Sequence, residues 1–176
     1  MLKLTRSLKR ELDEPVLVWE EEGKPIYWRS INPIKAKKGF LVPSEPRFVK
    51  GKNRNLYVVE GFTDYLALYQ IDPYGNFLIL GTVNNAEKSL KLLKKLEDKY
   101  RIFIALDNDE AGRKATEKIL SQVKGIDLAD FYKGYKDVMD WWQEEGFRNF
   151  VKIKSVVEEQ PSYINQEKPR GFGLGL

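Results

Sequence analysis

RIFIALDNDEAGRKA, residues 101–115, runs from an apolar stretch of strand length into Asp107, Asn108, Asp109 and Glu110, and then into an Ala-Gly-Arg-Lys segment that opens a helix. Strand, acidic turn and helix follow one another within fifteen residues. The carboxylates either form a solvated capping turn, with Asp or Asn at the helix N-terminus, or hold a cation at a strand end.

Outward from this stretch the same shape recurs. LYVVE (56–60) reads as a strand and TDYLALYQ (63–70) as a short helix with Thr63 available as its cap. FLILG (77–81) is a second strand, and NAEKSLKLLKKLEDKY (85–100) is a helix with Leu90, Leu93 and Leu96 on one face and its lysines on the other. After RIFIAL comes EAGRKATEKILSQV, with Ala111, Ala115, Ile119 and Val123 along one side. IDLADFY (126–132) reads as a fourth strand, and KDVMDWWQEEG and FRNFVKIKSVVEE (147–159) as closing helices. Strands without apolar–polar alternation are those of a parallel sheet covered on both faces. The expected fold is a compact α/β domain, a parallel sheet of about four strands flanked by helices. EPVLVWEEEGKPIYWRSI, with Trp19, Tyr27 and Trp28 around a Glu-Gly-Lys turn, adds a small N-terminal β-hairpin. NPIKAKKGFLVPSEPRFVKGKNRN, with three prolines, reads as an extended connection. The expected organisation is hairpin and basic connection over 1–51, the α/β domain with its C-terminal helices over 52–158, and a flexible or docking tail over 159–176.

The chain of 176 residues is 42% hydrophobic and 32% charged, without cysteine or histidine. Disulfides and Cys/His zinc sites are excluded, and the commonest general base is missing. Any metal must take oxygen ligands, which favours Mg²⁺ or Mn²⁺. No apolar run approaches membrane-spanning length, and MLKLTRSLKRELDE lacks the apolar stretch of a signal peptide, so no membrane partner and a cytoplasmic location are expected. Net charge is +4, unevenly spread. Residues 29–54 hold Arg29, Lys35, Lys37, Lys38, Arg47, Lys50, Lys52 and Arg54 against the single acid Glu45, whereas residues 51–150 carry 15 basic and 16 acidic side chains. Such a stripe is either a solvated lysine-rich loop or a surface that tracks nucleic-acid phosphates.

In parallel α/β sheets the ligand crevice lies at the carboxyl ends of the strands. Glu60 ends the first strand with Asp64 one helical turn on. Asp107 ends the third, with Asp109 leaving on the same side two residues later, and Asp137 and Asp140 follow the fourth. All six are expected to converge on one edge, where a cation must compensate if they are to stay ionised together. Taken singly, Asp137 and Asp140 also suit a helix N-cap and a first-turn acid. Gly61 and Gly112, next to the acids, allow a tight turn or close approach to a phosphate. Arg113, Lys114 and Lys136 are candidate phosphate partners, Arg113 and Lys114 equally well placed to be solvated. Of the adjacent Trp141 and Trp142, one belongs to the core.

YVVEGFTDYLAL (57–68) and FIALDNDEAGRKA (103–115) resemble the paired acidic motifs of the Toprim domain, shared by bacterial-type primases, type IA and type II topoisomerases and some small nucleases. LILGTVNN (78–85) stands at the family's Gly-Thr strand end, and the resemblance covers residues about 52–142. DNDEAGRKA is similar to the version in primases and phage primase-helicases; the Glu-Gly-Glu of topoisomerases is absent. The resemblance implies that Glu60 is an acid/base or metal-organising residue, that Asp107 and Asp109 coordinate Mg²⁺ with Asp64 in support, and that Lys136-Asp137 with Asp140 resembles the Lys-Asp motif after the last strand. Asp137 then joins the metal set. These groups suit phosphoryl transfer. Three functions are compatible: a primase-type nucleotidyltransferase in DNA replication, a small nuclease cleaving structured RNA or DNA, and a non-catalytic nucleic-acid-binding module. The partners implied are single-stranded or structured nucleic acid and replication proteins such as a helicase.

Overall fold

A computed structural model describes residues 2–6, 15–31 and 37–146. The helix expected over 147–159, the tail 159–176 and Lys35 lie outside the described residues. The chain divides between Glu45 and Pro46 into two compact units. Among the described residues no helix is long and apolar enough to cross a membrane.

The first unit is a four-stranded antiparallel sheet in the order β1 (Leu2–Arg6), β2 (Pro15–Glu21), β3 (Lys24–Ser30), β4 (Lys38–Phe40). β2 and β3 are the expected hairpin. Their two-residue loop, Glu22-Gly23, has positive φ at both positions (50° and 78°), the geometry whose twist matches that of the flanking strands. Val16, Val18 and Trp28 form its buried cluster. β1 and β4 are additions to the hairpin that the sequence reading did not contain.

The second unit holds a five-stranded sheet in the order β5-β7-β6-β8-β9: β5 (Arg47–Val49), β6 (Asn55–Val59), β7 (Asn76–Ile79), β8 (Arg101–Ala105) and β9 (Ile126–Asp127). β7, β6, β8 and β9 are parallel, and β5 is an antiparallel edge. The sequence pattern leaves β5 within the extended connection, because three residues between Pro46 and Lys50-Gly51 are too short to show a period. β9 is likewise shorter than IDLADFY, because the chain turns into a 3₁₀ segment at Ala129–Tyr132.

The helices are α1 (Phe62–Ile71), α2 (Ala86–Leu96), α3 (Glu110–Leu120) and α4 (Val138–Trp141), the last continued by a π-turn over Trp142–Gly146. They cover the sheet on two chemically different faces. On one, Leu56, Val58, Leu78, Ile102 and Ile104 pack with Leu93 of α2 and Ala115 and Ile119 of α3. On the other, Tyr57 stacks between its cross-strand neighbours Phe77 and Phe103, with ring centroids 5.3 and 5.2 Å apart, and Tyr65 of α1 meets Phe77 edge-on. Both faces being covered explains why β6 is buried at every position. Trp141 is the core member of the tryptophan pair.

Candidate active site

The order of the sheet creates the crevice. From β6 the chain adds β7 on one side and then crosses back to add β8 on the other, so the topological switch falls between β6 and β8. α1 and α3, which leave these two strands, pack on opposite faces, and their first turns part at the carboxyl edge. Val59 pairs with Ala105, so Glu60 and Asp107 leave the sheet at nearly the same level on adjacent strands.

Each acid is placed by a local device. α1 begins after Gly61 rather than at the expected Thr63: the Gly61 amide donates to Asp64 Oδ2 at 3.0 Å, and this reach-back orients Asp64. Asp64 is 4% exposed and its Oδ1 has no hydrogen-bond partner. Burial first, then the charges of Asp137 and Asp107, push its carboxyl up to about 8, against the pull of the Gly61 and Met139 amides. Near neutral pH Asp64 therefore keeps its proton.

Asp107 is also buried, and its pKa is raised: desolvation outweighs the hydrogen bond and charge of Lys136, whose Nζ lies 3.0 Å from Oδ2, while Asp137 and Asp109 repel. Asp109 is exposed and caps α3, accepting the Gly112 amide at 2.9 Å. Asp137 caps α4, accepting the Asp140 amide at 2.8 Å. The capping interpretation holds at both positions. Half-buried Glu60 closes β6, its carbonyl accepting the Gly81 amide at 2.9 Å. Asp140 is exposed in the first turn of α4. Asp107 and Asp137 act electrostatically on Asp64, and Lys136 is within reach of Asp107, Asp109 and Asp137. Among the described residues no three or more acids are arranged to enclose a metal ion. The donor set nonetheless fits Mg²⁺, which takes one or two carboxylates and keeps several waters, and Asp107, raised although Lys136 stands beside it, marks where positive charge is lacking.

Two residues that the motifs did not single out hold the site together. Asn108 receives its role from the β9–α4 loop: its amide donates to Lys136 O at 2.6 Å and its Nδ2 to Tyr132 O and Tyr135 O at 3.2 and 3.0 Å. Buried Tyr132 donates its hydroxyl to Leu106 O at 2.7 Å. Only the period of two, which sets Asn108 apart from its acidic neighbours, hinted at this. Gly112 is needed for close packing: a Cβ there would stand 2.1 Å from Asp107 O, so the backbone it approaches is the protein's own.

The basic candidates are dispersed. Arg113 makes a bidentate pair with Asp127 at the end of β9, and Lys114 pairs with Glu110 on the exposed face of α3. Exposed Lys50, Lys52 and Arg54 precede β6, at the amino end of the sheet, so one strand length of roughly 17 Å separates them from the acids. Lys52 lies over the Tyr74 ring at 5.6 Å. Arg29, Lys37 and Lys38 belong to the first unit, with Arg29 opposite Lys38 across β3 and β4.

Residues 57–144 match the family model described as Toprim-like. A DNA primase of Neisseria meningitidis serogroup A is 28% identical over 145 residues, which cover 72% of this chain and 23% of the relative. A DNA primase of Deinococcus radiodurans is 35% identical over 107 residues, 60% of this chain and 18% of the relative. The chain thus spans about a fifth of the length of the curated relatives it matches. Among solved structures, the primase fragment of the bacteriophage T7 primase-helicase protein aligns with a TM-score of 0.59 at 17% identity, covering 87% of this chain and 66% of that one, which is a likeness of fold. The family match spans half of the chain and contains both acidic strand ends, and its relatives are primases: the protein belongs to the Toprim-like family.

Proposed function

We propose that this chain is a Mg²⁺-dependent nucleotidyltransferase module of the primase type, acting on nucleic acid in DNA replication in the cytoplasm. The observation that carries the proposal is crowding of carboxylates at the switch point: Asp107 is raised despite its lysine, with Asp137 and Asp109 repelling it, and buried Asp64 beside it stays uncharged only by keeping its proton. Asp107 and Asp109, with Glu60 and Asp137 beside them, would hold Mg²⁺ or Mn²⁺. When bound, the ion supplies charge neutralisation at the phosphate oxygens and an aligned phosphorus. Glu60 is assigned the proton of the attacking 3′-hydroxyl, whose oxygen bonds to the α-phosphorus as pyrophosphate leaves. Protonated Asp64 supports Asp107 without adding charge. Lys50, Lys52 and Arg54 would contact the strand away from the reacting end, because they stand at the opposite edge of the sheet, and Arg29, Lys35, Lys37 and Lys38 are further candidate phosphate contacts. The primase relatives and the primase-helicase likeness support this reading, and a helicase is the protein partner it suggests.

End-labelled single-stranded and hairpin DNA and RNA, incubated with Mg²⁺ or Mn²⁺ with and without nucleotides, test it. Nucleotide-dependent lengthening is expected. Asp109→Asn, which keeps an α3 cap while removing the charge, should reduce it at least roughly a hundredfold. Shortening without nucleotides would make the chain a nuclease, and no change of the label with either metal would remove the catalytic reading.

A further inference from the structure

Asp107 already has a cation beside it. Lys136 reaches back from the β9–α4 loop to Asp107 Oδ2 at 3.0 Å, its side chain 59% exposed against 11% for the carboxylate. The two ends of this lysine are held differently. Its backbone is fixed to the residue next to Asp107, because the Asn108 amide donates to Lys136 O and the Asn108 side chain ties Tyr132 O and Tyr135 O of the same loop. The ammonium sits on a flexible four-carbon stem and is open to water, so it can leave without moving the loop. Asp109 and Asp137 are occupied as helix caps, which leaves Asp107 as the buried carboxylate that Lys136 compensates.

We propose that Lys136 is a resident counter-ion: it neutralises Asp107 in the metal-free protein and yields that carboxylate to the arriving divalent cation. The inference rests on the metal-holding reading of the site given above. A placeholder of this kind keeps the acid cluster ordered when empty and makes every ion that binds compete with an internal cation.

Calorimetric titration of Mn²⁺ into the full chain separates the possibilities, using wild type, Lys136→Met, Lys136→Arg and Lys133→Met. Lys133 is exposed on the same loop, so Lys133→Met removes an equal charge without touching Asp107. Lys136→Met should bind Mn²⁺ roughly three- to tenfold more tightly than wild type, Lys136→Arg no more tightly, and Lys133→Met within about twofold of wild type. Should Lys136→Met fail to fold, Lys136→Gln makes the same comparison. Equal gains for Lys133→Met and Lys136→Met, or no gain for Lys136→Met while wild type binds, would overturn the counter-ion and leave the metal site standing. A wild type that takes up no Mn²⁺ would overturn both.

Discussion

At the amino end of the parallel sheet Asp72 accepts hydrogen bonds from Asn53 Nδ2, Asn55 Nδ2, the Tyr57 hydroxyl and the Tyr74 amide; at the carboxyl end Asp64 is fully buried with one oxygen unpartnered. The two ends are built from the same chemistry, side-chain amides and carboxylates on loops beside the strands, and they use it in opposite ways. Around Asp72, Asn76 donates to Asn53 O and Asn55 O and accepts from the Gly51 amide, while Arg101 reaches Asn55 Oδ1 at 2.6 Å. Nearly every group there is spent on holding loops to strands. Around Asp64 and Asp107, like charges are pressed together and only partly neutralised. One edge of the sheet is thus satisfied internally and the other is left strained.

The largest effect is expected from breaking the satisfied end. Asn76→Ala strips two backbone carbonyls of donors and the Gly51 amide of its acceptor at a site 1% exposed. A loss of about 3 kcal/mol in urea unfolding is expected from three bonds of this kind. Mn²⁺ affinity of the remaining folded protein should stay at the wild-type value. A variant that lost its metal response before its stability would mean that the two ends are not independent.

At the strained end the next effect has the opposite sign. Because the Asp64 carboxyl is at about 8 when folded and near 3.8 when unfolded, the folded state binds more protons between those values. Stability that is complete below the unfolded value is therefore lost as pH rises through about 8, and Asp107 shifts in the same direction. Asp64→Asn, which mimics the protonated form, should gain about 2 kcal/mol on wild type between pH 6 and pH 7.5 in chelator, at roughly 1.4 kcal/mol per pH unit. Parallel stability curves for the two proteins would refute a charged cost at this position.

Much of this was legible in the sequence, and what was not has physical causes. Strand existence, the helices α1 to α3 and the co-location of the two acidic strand ends follow from apolar runs interrupted by acids, because a sheet covered on both faces needs such runs. β1, β4 and β5 were missed since pairing in three- to five-residue edge strands is decided by neighbours rather than by pattern. The sequence offers Thr63 as the α1 cap, whereas Gly61 and Asp64 make it, because it is the Asp64 side chain that is buried. Where the basic stripe falls is a different matter: nearness in sequence to an acidic strand end hides the length of β6 that separates Lys50, Lys52 and Arg54 from the acids.

The smallest effect tests the tie that brings the β9–α4 loop to the site. Asn108→Ala removes the donors to Tyr132 O and Tyr135 O but leaves the backbone bond to Lys136 O. Partial burial lets water replace part of the loss, so the cost in unfolding free energy should be about 1 kcal/mol. The consequence at the site should be larger than that figure suggests. Asp137 and Lys136 are carried by this loop, and loosening it relaxes the repulsion that Asp137 exerts on Asp64. The difference between wild type and variant should therefore narrow as pH rises through 8, where Asp64 ionises and the tightly held loop is the more strained of the two. A destabilisation that stays constant across that range, measured by urea unfolding in chelator, would show that Asn108 holds only the loop and has no part in the electrostatics of the crevice.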